Sequence, residues 1–469
     1  MMSKTPLGLT EARRTEILKG LADLASDADG NRWDAASHYL PVPLHEKVGN
    51  PDIWLVVGAR GMGKTTLFRT VVDGRELAVL ASPLFAHGKT VPLEGWSGTA
   101  QIPLPDAALA DEPRGYWLRR LFDVLKPVAR DHQLPCDSRL STRRPLTAED
   151  RDALLTQIFD WDRLLFKRDF RCVVVYDALE KLPRWEAFAA GLVAFWADLA
   201  PRLRACSPKI FLREDVRDRL AGTGADFAKL GARTLTLTWS THDIYRLLAF
   251  AFANSSKTAR TYLETEGPFK FSAPTDGRKS WLPASMFPSE GPGSEERLAT
   301  LLAGKWMGAA AQKGLTWKWI PRMLADANGA IAPRTVINLL SGAAAACQGA
   351  PQTEGALFSP EHLRQGLRKA ARHRADELAE ERADIVRLLE RMKGGFVPIE
   401  GADLALRLFV TEGKVLLGSG EEASDVLHEL ERLGVLLRRA DGRYDVPDLY
   451  RLGFEIKRRG GTPVLARRS

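Results

Sequence analysis

Ile53-Trp54-Leu55-Val56-Val57-Gly58-Ala59-Arg60-Gly61-Met62-Gly63-Lys64-Thr65-Thr66 is the stretch that decides how this chain folds. Residues 53–57 are a short apolar run suited to a buried strand, and residues 65–72 read as a helix. Between them the glycines and Lys64-Thr65 meet the phosphate-loop (P-loop) spacing G-x-x-x-x-G-K-[ST] at every required position. Glycines there let backbone N–H groups close around the β- and γ-phosphates, at the positive end of a helix dipole. Lys64 supplies a point charge, and the Thr65 hydroxyl is placed to coordinate Mg²⁺. Gly58, Ala59, Arg60, Gly61, Met62, Gly63, Lys64, Thr65 and Thr66 are therefore expected to bind a nucleoside triphosphate, ATP with Mg²⁺. The alternative, a chance glycine-rich turn, does not account for the strand before it and the helix after it.

The second half of such a site is Val173-Val174-Val175-Tyr176-Asp177-Ala178-Leu179-Glu180. An acid at the carboxyl end of a buried strand is where a P-loop enzyme holds Mg²⁺, and Asp177 takes that role. Glu180, three residues on, is the candidate to polarise an attacking water. Its alternative is an exposed acid at a helix start, where the dipole favours it anyway. Residues 209–213 and 234–239 read as further strands separated by helical segments. Alternation of this kind implies a parallel sheet with helices on both faces.

Working outward, 469 residues suggest about three domains of ordinary size. The balance of 45% apolar and 27% charged residues is that of a soluble globular protein. Residues 1–20 lack the apolar stretch of a signal peptide, and no apolar run reaches the roughly 18 residues of a membrane span. A cytoplasmic protein without a membrane partner is expected. Cys136, Cys172, Cys206 and Cys347 show neither metal-ligand spacing nor a disulfide framework, and are expected as small buried hydrophobes. Thr10 is a candidate N-cap ahead of Ile17, Leu18, Leu21 and Leu24. Residues 80–145 carry many Pro and Gly with little periodicity and read as an elaboration. Helices at 116–128 and, behind a Thr147 cap, at 148–166 lie in it or just after it. Trp306, Trp317 and Trp319 could stack bases, but aromatics at that spacing more often belong to a core. From about residue 375, Ile385, Leu388, Leu389 and Met392 mark a helix ended by Gly394-Gly395. A second helix covers 421–433, and Asp441-Gly442 signals a hairpin. Helix, helix and two-stranded wing read as a winged helix.

Asp177-Ala178-Leu179-Glu180 with Leu182 resembles the hydrophobic–Asp–small–Leu–acid box of the STAND class of ATPases, especially its NACHT branch. Lys181 stands where that branch usually has a second acid, a departure that bears on hydrolysis rate rather than on nucleotide binding. The resemblance implies a γ-phosphate sensor at Arg213, which ends its strand. Pro333-Arg334 resembles the sensor of origin-recognition-type AAA+ lids, where an arginine reaches from a helical lid to the phosphates. Arg233 falls where AAA+ proteins often place an arginine finger that acts on a neighbouring subunit's nucleotide. A surface arginine is the alternative for each. Tyr450-Arg451-Leu452-Gly453-Phe454 and Lys457-Arg458-Arg459-Gly460-Gly461 resemble the closing segments of ATPases from bacterial conflict loci.

Together these imply an α/β fold: a P-loop parallel-sheet ATPase core over 46–240, a helical lid over 241–374 and a winged-helix domain with a basic tail over 375–469. Residues 1–45 are read as an N-terminal helical segment. The implied function is an ATP-binding, ATP-hydrolysing switch in a bacterial defence or signalling complex, self-associating or working with a partner protein. Two rivals are a DNA-loading or remodelling ATPase of the origin-recognition type and a small-molecule P-loop kinase. A net charge of +8 and a pI near 9.3 permit nucleic-acid contact. Glu421, Glu422, Asp425, Glu429 and Glu431 nevertheless give the candidate recognition helix an acidic face that phosphates would repel. Basic residues fall instead on the wing (Arg438, Arg439, Arg443), the tail (Lys457, Arg458, Arg459, Arg467, Arg468) and a helix with Arg364, Arg368, Lys369, Arg372 and Arg374. Weak, non-specific nucleic-acid contact is the most this pattern supports.

Overall fold

The computed structural model describes residues 9–24, 35–73, 89–98, 102, 112–140, 146–221, 230–267, 269–274, 278–284, 293–350, 356–411, 414–415 and 422–461. Five strands form a parallel sheet: β1 (Leu55–Gly58), β2 (Thr90–Trp96), β3 (Arg171–Tyr176), β4 (Cys206–Arg213) and β5 (Thr234–Thr236). Their spatial order is β2-β3-β4-β1-β5, so β1 lies between β4 and β5, with Leu55 opposite both Ile210 and Thr234. Alternate side chains go to opposite layers. Leu55, Val57, Val174, Tyr176 and Leu212 pack with Trp117, Trp161 and Trp196 of the helices Pro113–Asp131, Ala148–Lys167 and Trp185–Leu199. Val56, Val173, Val175 and Phe211 pack with Leu67, Phe68 and Val71 of the helix Lys64–Asp73. Burial on both faces explains why these strands read as continuous apolar runs rather than alternating ones.

β2 lies in the region read as an elaboration without periodicity, and the structure adds it as a strand. Pro92 and Gly95 break the strand pattern in sequence, and Pro92 has no N–H to give a ladder. Both are tolerated because, among the described residues, β2 is an edge strand paired with β3 alone.

The entry to β4 depends on one buried carboxylate. Asp162 accepts hydrogen bonds from the backbone N–H groups of Arg204, Ala205 and Cys206 at 2.9, 2.8 and 2.9 Å. Asp162→Ala is expected to lower the thermal unfolding midpoint, at a cost of about 3 kcal/mol or more, because three donors lose their acceptor. A midpoint equal to wild type would mean that water reaches those donors.

The lid is built from the helices Thr241–Ser255, Lys257–Glu266, Gly293–Ala303, Thr316–Leu324 and Pro333–Cys347. Leu248, Phe252, Leu298, Leu302, Leu339 and Ala343 share its core, with Trp317 and Trp319 packed against it. The helix Glu11–Ala22, capped by the Thr10 hydroxyl, inserts Ile17, Leu18 and Leu21 into the same core. The winged-helix domain holds the helices Ala383–Arg391, Gly401–Phe409 and Ala423–Arg432 ahead of the hairpin Leu437–Arg438 and Tyr444–Asp445. Leu389, Leu404, Leu408, Leu430 and Val446 form its core. The helix Pro360–Glu381 bridges the two, with Leu363 and Leu367 in the lid core and Leu378 in the winged-helix core. Cys172, Cys206 and Cys347 are buried, whereas Cys136 is exposed, against expectation. Glu421, Arg467 and Arg468 lie outside the described residues. Among the described residues no helix is long and apolar enough to cross a membrane.

Candidate nucleotide-binding site

The strand order brings the carboxyl ends of β1, β4 and β3 side by side, and each end delivers one part of a site. This is the edge of a parallel sheet where ligands bind. Beyond β1, Gly61 and Gly63 adopt positive φ values of 79° and 93°, which a side chain would strain. A Cβ at Gly61 would also meet the Ala332 side chain at 3.2 Å, so the loop sits directly under the lid. A cavity of about 900 Å³ opens there, within the range of small-molecule sites. Arg60, Gly61, Gly63, Lys64, Thr65 and Thr66 line it, as do Asp177, Glu180, Arg213 and Arg334. Gly58, Ala59 and Met62 do not. Met62 is buried beneath the loop, and the carbonyls of Gly58 and Ala59 accept hydrogen bonds from Lys64 Nζ at 2.7 and 2.9 Å. Burial pushes the Lys64 ammonium below its ordinary pKa, against the attraction of Asp177, Glu381 and Glu180.

Asp177 follows β3 directly, its N–H tied to Trp96 O at 2.8 Å. Burial and the nearby Glu180 raise its carboxyl to about 6, while Lys64 and a side-chain hydrogen bond with Thr65 pull it back. Among the described residues no group of three or more His, Cys, Asp and Glu is placed to hold a metal ion. The Thr65–Asp177 pair instead suits Mg²⁺, which typically takes one or two protein ligands and completes its shell with phosphate oxygens and water. Ala178, at φ 55°, turns the chain into the short 3-10 helix Leu179–Lys181, from which Glu180 re-enters the cavity.

Arg213 ends β4 and makes a two-pronged pair with Asp215 at 2.9 and 2.8 Å. Glu381 lies 3.6 Å and Glu180 3.9 Å from its guanidinium. Arg334 enters from the first turn of the lid helix Pro333–Cys347 and pairs with Glu377 at 2.7 Å. Arg233 is elsewhere. It precedes β5 at the amino-terminal edge of the sheet, opposite the loop of its own chain, with Asp52 at 3.3 Å and Trp54 under its guanidinium at 4.0 Å.

Two parts of the site escaped sequence reasoning. The far end of the cavity is aromatic. Tyr39 stacks on His45, its hydroxyl oxygen 2.9 Å from Nδ1, and Trp239 meets His45 edge-on. Burial drives the His45 imidazole down to about 3, which keeps it neutral. Trp239 Nε1 also donates to Met62 O at 3.1 Å, tying this end to the loop. No local motif marks an aromatic cluster made of such scattered residues. The other part is the acidic turn Glu377, Glu380 and Glu381, on a helix whose basic residues dominate its sequence pattern.

The sequence matches no family model and no curated protein. Among solved structures it is similar to the ORC2 protein of Aeropyrum pernix in ADPNP–ADP complexes. That pair shares 13% identity over 96% of this chain and 94% of the other, at a TM-score of 0.44. The Cdc6p of Pyrobaculum aerophilum aligns at 15% identity over 97% and 94%, with a TM-score of 0.29. The Aeropyrum pernix ORC1 protein in complex with DNA aligns at 16% over 90% and 93%, with a TM-score of 0.32. Superpositions this loose leave the chain's family unassigned, and the site stands on its own geometry.

Proposed function

We propose that this chain binds ATP with Mg²⁺ at the P-loop and hydrolyses it, and that nucleotide state sets the position of the lid and the winged-helix domain. The observation that carries this reading is the single cavity onto which Thr65 and Asp177 both open, with Lys64, Glu180, Arg213 and Arg334. It brings the P-loop helix and the acid ending β3 together beside the loop that β1 delivers. Lys64, Arg213 and Arg334 supply positive charge from the loop, the core and the lid. Glu180 is the group placed to orient the attacking water. Mg²⁺, held by Thr65 and Asp177, would offset charge building on the phosphates.

Free phosphate tests this reading against a small-molecule kinase. The full chain, given ATP and Mg²⁺ without an acceptor, is expected to release phosphate, and chelation of the metal should stop it. ATP consumption that requires an added acceptor would favour the kinase.

Base-specific DNA reading has little support. Arg439 pairs with Asp445, Arg443 with Asp441, Arg451 with Asp448, and Arg458 with both Asp445 and Asp448. The helix Ala423–Arg432 is engaged with the core through Arg432 and Asp218. Weak, non-specific nucleic-acid contact fits these pairings better than a DNA loader does. A place in a bacterial defence or signalling complex is carried by the sequence resemblance alone.

A further inference from the structure

Arg60, Arg213 and Arg334 line the phosphate end of the cavity, and each lies against an acid from one turn of the helix Pro360–Glu381, Arg213 being hydrogen-bonded to Asp215 instead. Arg60 pairs with Glu380 at 2.5 Å, Arg334 with Glu377 at 2.7 Å and Arg213 with Glu381 at 3.6 Å. Positions 377, 380 and 381 follow helical spacing and so share one face. The three pairs carry unequal weight. The Glu380 side chain is 65% exposed, and an ion pair in that setting contributes little. Those of Glu377 and Glu381 are 12% and 10% exposed, where solvent and salt screen them far less. Burial raises the Glu377 carboxyl, but Arg374 and Arg334 outweigh it and hold the group below its ordinary range.

The same turn leads into the winged-helix domain. Arg374 reaches Glu377 at 3.1 Å, and its Nε donates to the Tyr450 hydroxyl at 3.1 Å. Just past the turn, Arg382 pairs with Glu429 of the helix Ala423–Arg432 at 2.9 Å. That helix meets the core through Arg432 and Asp218, and Asp218 belongs to the helix that begins right after Arg213. The phosphate-facing arginines are thus paired with one turn of the helix whose next residue, Arg382, starts the ion-pair chain Arg382–Glu429–Arg432–Asp218 between the winged-helix domain and the core.

We propose that the Glu377–Glu380–Glu381 turn is an internal phosphate mimic. It occupies the sensing arginines until a triphosphate takes them over, and its displacement releases the winged-helix domain from the core. This rests on the nucleotide reading above. A bound triphosphate brings several oxyanions to the same guanidiniums, so acids and phosphates compete for one set of partners. Reciprocity then requires that loosening the winged-helix contact tighten nucleotide binding.

Two measurements on the full chain test the proposal, with a slowly hydrolysed ATP analogue and Mg²⁺ as the probe. First, the Glu377→Gln and Glu381→Gln double variant is expected to bind the analogue about tenfold tighter, an ordinary allosteric coupling. Either single substitution should shift affinity the same way if the double variant folds poorly. Removing a carboxylate near an anion site would tighten binding by electrostatics alone. Asp218→Asn separates the two effects, because Asp218, unlike Glu381, is not among the charges that act on Lys64 and Arg213; it too should tighten binding. Second, hydrogen exchange along Ala423–Arg432 is expected to speed up when the analogue is added, and to be fast already in the double variant. Exchange indifferent to nucleotide, or Asp218→Asn with wild-type affinity, would overturn the proposal. Lys64-dependent binding in wild type with unchanged affinity in every variant would remove the mimic and leave the nucleotide reading standing. Absence of binding in wild type would remove both.

Discussion

Lys64→Ala is expected to abolish measurable ATP binding while leaving the fold intact. The Lys64 side chain is buried, and its ammonium donates to two loop carbonyls, Gly58 O at 2.7 Å and Ala59 O at 2.9 Å. Among the described residues no carboxylate is hydrogen-bonded to it. Its charge is thus held inside the loop, where the phosphates would arrive, and burial makes that charge costly to keep without an anion. A phosphate supplies the missing partner in a setting where screening is weak. Losing such a desolvated contact costs about 3 kcal/mol or more, over a hundredfold in Kd. The fold should survive because the side chain belongs to none of the apolar clusters. A fluorescent-nucleotide titration, with circular dichroism as the control, reads the outcome. Wild-type affinity in the variant would take the P-loop out of the site.

Glu180→Gln is expected to act on turnover and spare affinity. The residue sits in the short 3-10 helix Leu179–Lys181, whose Leu179 is wholly buried and fixes the turn. Its own side chain keeps 34% of its exposure and lies 3.9 Å from Arg213, so water has access to it. Glutamine keeps the shape and can still accept a hydrogen bond, but cannot take up a proton. General-base losses of this kind slow the chemical step by about 10² to 10⁴. Steady-state phosphate release beside an affinity titration separates the two effects. Hydrolysis at the wild-type rate would mean that another group positions the water. The same variant examines Arg233, which faces away from its own nucleotide and so could act only across a subunit boundary. Mixing Glu180→Gln with Arg233→Ala should restore part of the activity if a neighbour's arginine completes the site. No rescue, together with a monomeric mass by light scattering, would remove the arginine finger and leave the P-loop reading untouched.

Local chemistry made the loop and the strand acid legible in the sequence. Gly61 and Gly63 need positive φ, and Lys64-Thr65 must open a helix after a buried strand, so the signal fits within a dozen residues. Asp177 was readable for the same reason, because it is the acid that closes the apolar run of β3. The capped helices were legible too, through Thr10 and Thr147. Tertiary structure alone decided the rest. β2 was hidden because Pro92 and Gly95 are compatible with a strand only at a sheet edge, and edge position is a property of the assembled sheet. The sequence separated residues 1–45 from the lid, yet the helix Glu11–Ala22 shares the lid's core, since an amphipathic helix does not encode which apolar face it will meet. Arg60 and Glu380 are 320 positions apart, and Arg334 and Glu377 are 43 apart. Ion pairs across such separations leave no periodic trace along the chain. They exist because the strand order and the helix Pro360–Glu381 carry their charges to one place, where burial makes the Arg334–Glu377 pair count.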